Sequence, residues 1–68
     1  MNRMEFKTLE KGNKVTVKND TYGMPIGRRG TVTSIFRGPR EVKVMLKSHG
    51  KRTYIFTTPG NIDRAYSN

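Results

Sequence analysis

Hydrophobic residues in this chain recur in short stretches with a period of two. Lys14-Val15-Thr16-Val17-Lys18 alternates strictly, with both valines on one side and polar residues on the other. Strict alternation marks a half-buried strand, and valine and threonine suit its pleated surface. Glu41 to Lys47 repeats the pattern: Val42, Val44 and Leu46 face one way, and Glu41, Lys43, Met45 and Lys47 the other. Thr31 to Phe36 alternates imperfectly, because Val32 and Phe36 share a parity that Ile35 breaks. A bulge near Ser34 reconciles them. Arg52 to Thr57 is rich in β-formers, but Thr53, Tyr54, Ile55 and Phe56 allow either parity to face inward. No stretch of ten or more residues carries a helical period.

Turn chemistry separates these strands. Lys11-Gly12-Asn13, Ser48-His49-Gly50-Lys51 and Arg37-Gly38-Pro39-Arg40 are turn signals, and Pro39 cannot donate to a ladder. Asn19 to Gly30 is a loop rich in Gly, Asn, Asp and Pro, from which Ile26 is expected to reach the core. Gly27 and Gly30 bracket Arg28-Arg29, which suggests a tight turn presenting charge, since glycine tolerates positive φ and close backbone approach. Thr58-Pro59-Gly60-Asn61-Ile62 cannot continue a strand and reads as one turn of 3₁₀ helix with Ile62 tucked in. Asp63 to Tyr66 is long enough for a short fifth strand.

Five short strands in 68 residues leave few topologies. A single flat sheet would leave one face bare and two edges open. The expectation is an all-β chain curled into a small five-stranded barrel, with the short 3₁₀ turn before the last strand. Its expected core is Val15, Val17, Ile26, Val32, Val42, Val44, Leu46, Phe56 and Ile62. Residues 11–66 form the single domain. Residues 1–10 are a lead-in that either docks on the barrel through Met4, Phe6 and Leu9 or frays.

Charge changes the picture most. Fourteen Lys and Arg face five Asp and Glu, for a net charge of +9. That exceeds the roughly 2–8 charges that keep a small domain soluble, and it is the footprint expected of a polyanion binder. Cysteine is absent, which excludes a disulfide scaffold and a thiolate metal site. No segment approaches a membrane span of roughly 18 apolar residues, and the N-terminus lacks an apolar signal core, so a cytoplasmic monomer is expected.

Antiparallel pairing places the cations. Pairing across the turn at 37–40 sets Phe36 near Glu41 and Thr31 near Leu46, and brings Arg28 and Arg29 beside Lys47 and Ser48. Pairing across the turn at 48–51 adds Lys51 and Arg52. Arg28, Arg29, Lys47, Lys51 and Arg52 thus converge at one end, with His49 at the tip and no carboxylate beside them. Arg37 and Arg40 mark the opposite end, near the long loop and Tyr22, a candidate contact aromatic. Arginine forks match phosphate oxygens and lysine adds point charge, so these seven cations are the candidate nucleic-acid contacts. Neither a recognition helix nor an aromatic pair at the spacing of an RRM stacking platform is visible, so base-specific readout is not expected. His49 lacks an obvious carboxylate partner, and Glu5, Glu10, Asp20, Glu41 and Asp63 are scattered. No metal-ligand spacing, nucleophile with a base, or P-loop is present, so neither an enzyme nor a cofactor is expected.

Lys11-Gly12-Asn13-Lys14-Val15-Thr16-Val17 followed by Gly27-Arg28-Arg29-Gly30-Thr31-Val32 resembles a KOW motif in an SH3-like barrel. The resemblance covers about residues 11–36, and the strand sequence fits through residue 66. It implies an SH3-like fold and contacts with RNA, DNA or protein, as in ribosomal proteins and transcription elongation factors. Tyr22-Gly23-Met24-Pro25 makes the loop a few residues longer than the usual KOW loop. In that respect the chain is similar to SH3-like docking proteins such as the small peripheral one of photosystem I, which implies protein docking instead. Two functions follow as expectations. One is a small nucleic-acid-binding protein that grips phosphate backbones with little sequence preference, in transcription or translation or as a phage-type accessory factor. The other is a docking subunit or modulator that sets its basic face on an acidic partner protein.

Overall fold

The computed structural model describes residues 1–18 and 26–65. It contains a short helix α1 (Arg3–Thr8) and strands β1 (Lys14–Val17), β2 (Arg29–Phe36), β3 (Glu41–Ser48), β4 (Lys51–Thr57) and β5 (Ile62–Arg64). A 3₁₀ turn, Pro59–Asn61, precedes β5. All strand pairs are antiparallel and form one sheet in the order β4-β3-β2-β1-β5. The all-β class, the five strands and the 3₁₀ turn agree with the alternation and turn chemistry of the sequence.

The sheet does not close into the expected barrel. β4 and β5 remain its two edges. Strand β5 has only three residues, and α1 and the 3₁₀ turn contribute Phe6, Leu9 and Pro59 as buried residues. The inner face is therefore covered by residues of α1 and the 3₁₀ turn, without a fifth strand-to-strand closure. Phe6, Leu9, Val15, Val17, Val32, Val42, Val44, Leu46, Ile55 and Ile62 form one core cluster. Two expected core members lie elsewhere. Ile26 is exposed at the start of the turn before β2, and Phe56 is exposed because Ile55 and Thr57 take the inward parity of β4.

The bulge falls where the broken alternation of β2 requires it. The β2–β3 register shifts between Val32 and Ser34, which lets Val32 and Ile35 both meet valines of β3. Phe36 faces Glu41 as expected, but the extra residue moves the partner of Thr31 from Leu46 to Met45. The β3–β4 hairpin turns on His49 and Gly50, both with positive φ (50° and 80°). A two-residue hairpin of the I′ kind needs that pair of left-handed residues. Gly27 (φ 94°) supplies the left-handed residue before β2.

Gly30 does a different job. It is buried inside β2 and lies beside Leu46 of the neighbouring β3. A Cβ placed on it would sit 2.5 Å from Val44 Cγ1 and 2.7 Å from Leu46 Cδ2. Its missing side chain allows close packing, whereas the turn belongs to Gly27.

Helix α1 is too short to show a period, but it is well capped. Asn2 Oδ1 accepts from Glu5 N at 2.8 Å, and Glu5 Oε1 accepts from Asn2 N at 3.0 Å, a reciprocal capping box.

Candidate nucleic-acid interface

The hairpin β3–β4 builds the cationic end. Lys47 pairs with Arg52 and Ser48 with Lys51, so three cations share the last two rungs of one ladder. Residues directly opposite in an antiparallel pair point to the same face, which places Lys47 and Arg52 together on the outer face. Arg28 joins them from the turn before β2. Its Nη2 donates to the Lys47 carbonyl oxygen at 3.0 Å. Arg29 opens β2 opposite Thr16 of β1, one strand further along the same outer face. Strand pairing therefore sets all five at the same end of the sheet, with Lys47, Arg52 and Arg29 on the outer face and Lys51, beside Ser48, of the opposite parity. Among the described residues, none of them forms an ion pair with a carboxylate; the ion pair present joins the N-terminal ammonium of Met1 to Asp63 at 3.0 Å.

Arg37 and Arg40 lie in the β2–β3 turn at the far end, and their surroundings differ in kind. Arg37 donates through Nη1 to the Phe6 carbonyl at 2.7 Å and through Nη2 to the Leu9 carbonyl at 2.8 Å. Its guanidinium also lies over the Phe6 ring at 5.4 Å, and that of Arg40 at 5.9 Å. The last carbonyls of a helix have no intrahelical partner, and Arg37 satisfies them as a fork. Arg64 ties the other side of α1, donating to Thr8 Oγ1 at 3.0 Å and to Asn13 Oδ1 at 3.1 Å. Neither tie has a short-range signature, because each spans 28 to 56 residues of sequence. Tyr22 lies outside the described residues.

The outer face also carries three exposed rings: Phe36, Tyr54 and Phe56, from 41% to 49% exposed. Phe36 and Phe56 have centroids 6.2 Å apart. Lys43 Nζ lies 5.0 Å from the Tyr54 ring centroid and 5.6 Å from that of Phe56. Sequence reasoning missed this group because the inward parity of β4 was open. Once Ile55 is inside, Tyr54 and Phe56 must both point out, on the same side as Lys43, Met45 and Lys47.

One carboxylate feels a cation directly. Asp63 is held below its ordinary pKa of 3.8, chiefly by the hydrogen bond from the N-terminal ammonium. Burial opposes this, and the charges of that ammonium and of Lys18 reinforce it. Among the described residues, no three His, Asp or Glu side chains gather as a metal site, and no helix is long and apolar enough to cross a membrane. Comparison with known proteins finds no matching family model, no similar curated protein and no similar solved structure.

Proposed function

We propose that this protein binds nucleic acid through its phosphate backbone, using the cationic end of the sheet. The observation that carries the reading is the β3–β4 ladder end. There Lys47, Arg52 and Lys51 share two rungs, Arg28 is anchored to the Lys47 carbonyl, and no described carboxylate pairs with them. Clustered like charges repel, so such a group is a standing cost to the fold that an anionic ligand removes. The net charge of +9 and the KOW-like stretch across Gly27–Val32 support the same reading. Arg28, Arg29, Lys47, Lys51 and Arg52 are the phosphate contacts in this scheme. Arg37 and Arg40 are assigned to holding α1. No groove-reading helix is involved, so affinity depends little on sequence.

The test is fluorescence anisotropy with labelled duplex DNA, single-stranded DNA and RNA hairpins at two salt concentrations, with heparin as the polyanion control. Sub-micromolar binding at physiological salt, tighter for one nucleic acid than for heparin, is the expected result. Binding that disappears at physiological salt, or that heparin matches, overturns the reading and turns attention to an acidic protein partner.

A further inference from the structure

The outer face of the sheet combines rings and cations in an order that phosphate binding alone does not need. Along β4 the outward positions are Arg52, Tyr54 and Phe56, and across β3 they face Lys47, Met45 and Lys43. Half-exposed aromatic rings grouped on one face of a sheet, with a charged rim, mark an interaction surface. The charge of that rim restricts what can cover it. A second copy of this chain would bring its own +9 against the same cations, so self-association on this face is opposed by charge. The occupant must be anionic and carry flat apolar surface.

Resting on the nucleic-acid reading above, we propose that this face takes unpaired bases of a single strand, stacked on Tyr54 and Phe56. Lys43, Lys47 and Arg52 then lie along the intervening phosphates. Outward residues two apart on a strand are separated by about 6.7 Å. That is about twice the 3.4 Å axial rise between stacked bases of a duplex strand, so bases seated on both rings are splayed out of their own stack. A duplex cannot offer bases in this way, whereas a single strand offers a π-face at every nucleotide. Lys43, whose Nζ lies over both rings in the free protein, swings off their faces as the bases seat and meets the phosphate that joins them. The ligand class is single-stranded DNA or RNA with little sequence preference. The cationic end supplies the electrostatic attraction and the rings supply the selectivity for single strands.

The experiment compares Kd values of the full chain for a 12-mer of oligo(dT), a 12-mer of oligo(U) and a 12-base-pair duplex, about one site length each. It does so for the wild type and for Tyr54→Leu, Tyr54→Phe and Arg52→Ala. Wild type should prefer the single strands. Tyr54→Leu should weaken single-strand binding roughly 5- to 150-fold, with the salt slope unchanged and duplex binding unmoved. Tyr54→Phe keeps the ring and should keep the affinity, which separates stacking from fold damage. Repeating the comparison with oligo(dU) against oligo(U), which differ only in the 2′-hydroxyl, identifies the preferred sugar. The inference is overturned if Tyr54→Leu leaves single-strand affinity intact while Arg52→Ala lowers it, because the phosphate reading then survives without stacking. It is also overturned if duplex and single strand bind equally. If no oligonucleotide binds better than heparin, or poly-glutamate binds more tightly than all three, the nucleic-acid reading fails with it and the face belongs to an acidic protein.

Discussion

The two ends of the β2–β3–β4 sheet carry similar cations in opposite circumstances. At the turn end, Arg37 finds two helix-terminal carbonyls within reach and engages both with the two arms of its guanidinium. At the hairpin end, the ladder runs to its last rung, Ser48–Lys51. Arg28 takes one carbonyl there, and Lys47, Lys51 and Arg52 extend from the sheet with no described carboxylate to meet. The role of a cation is therefore set by which acceptors the fold leaves open around it. A short helix ending against a turn leaves two acceptors for Arg37, whereas the hairpin-end ladder leaves the one that Arg28 takes.

That contrast can be broken first at Arg37. Removing it in Arg37→Ala takes the side-chain donor from the Leu9 carbonyl, leaves the Phe6 carbonyl with the Leu9 N–H alone, and loosens α1 from the core. The expected cost is about 1.5–3 kcal/mol, or roughly 6–24 °C in Tm, with the salt slope of nucleic-acid binding unchanged. A thermal melt checks the first part and an anisotropy titration the second. Arg37→Lys should rescue only part of the loss, since an ammonium cannot bridge both carbonyls as a fork.

Gly30 sharpens the comparison from the other end. It stands beside Arg28 and Arg29, yet its role is packing. Gly30→Ala forces a methyl group against Val44 and Leu46 and should destabilise by about 1–3 kcal/mol, read as a lower denaturation midpoint. Substitutions at Lys51 and Arg52 should behave in the reverse way. Lys51→Ala and Arg52→Ala should change stability by no more than about 0.5 kcal/mol, because each removes a surface charge that meets no described carboxylate.

The smallest effect is the acid limb. The carboxyl of Asp63 has a lowered pKa in the folded protein, so its contribution is present above the ordinary value of 3.8 and is lost as the pH falls through the lower folded value. Asp63→Asn should leave Tm nearly unchanged at neutral pH and flatten part of its decline between about pH 5 and pH 2. The side chain is about half exposed to solvent, which screens the interaction, so this flattening should be slight.

Much of this architecture is legible one residue at a time. Strands β1 and β3 follow from alternation, and the misfit of Ile35 calls for a bulge near Ser34, which the register shift between Val32 and Ser34 supplies. Pro59 and Ile62 place the 3₁₀ turn and its buried partner. The convergence of Arg28, Lys47, Lys51 and Arg52 follows from hairpin pairing alone, even though the bulge shifts one partner of Thr31. What is not legible depends on tertiary choices. Tyr54-Ile55-Phe56 are three β-formers in a row, so only packing against β3 decides that Ile55 goes in, and with that decision the aromatic face appears. Ile26 looks like core by hydrophobicity but sits on a turn that Gly27 directs outward. Helix α1 has no readable period, although Asn2 followed three residues later by Glu5 is a capping signal that marks its start. The work of Arg37 depends on where α1 ends in space, which no local pattern reports.

The central claim is that the hairpin-end cations, and not the turn-end arginines, contact phosphate. It is tested most directly by the slope of log K against log salt on one duplex, measured for the wild type, the double variant Lys51→Ala/Arg52→Ala, and Arg37→Ala. Five phosphate contacts give a wild-type slope near −4.5, at about 0.9 per contact. The account predicts a slope shallower by about 1.8 for the double variant and an unchanged slope for Arg37→Ala. A double variant with the wild-type slope, or an equal flattening by Arg37→Ala, would contradict it.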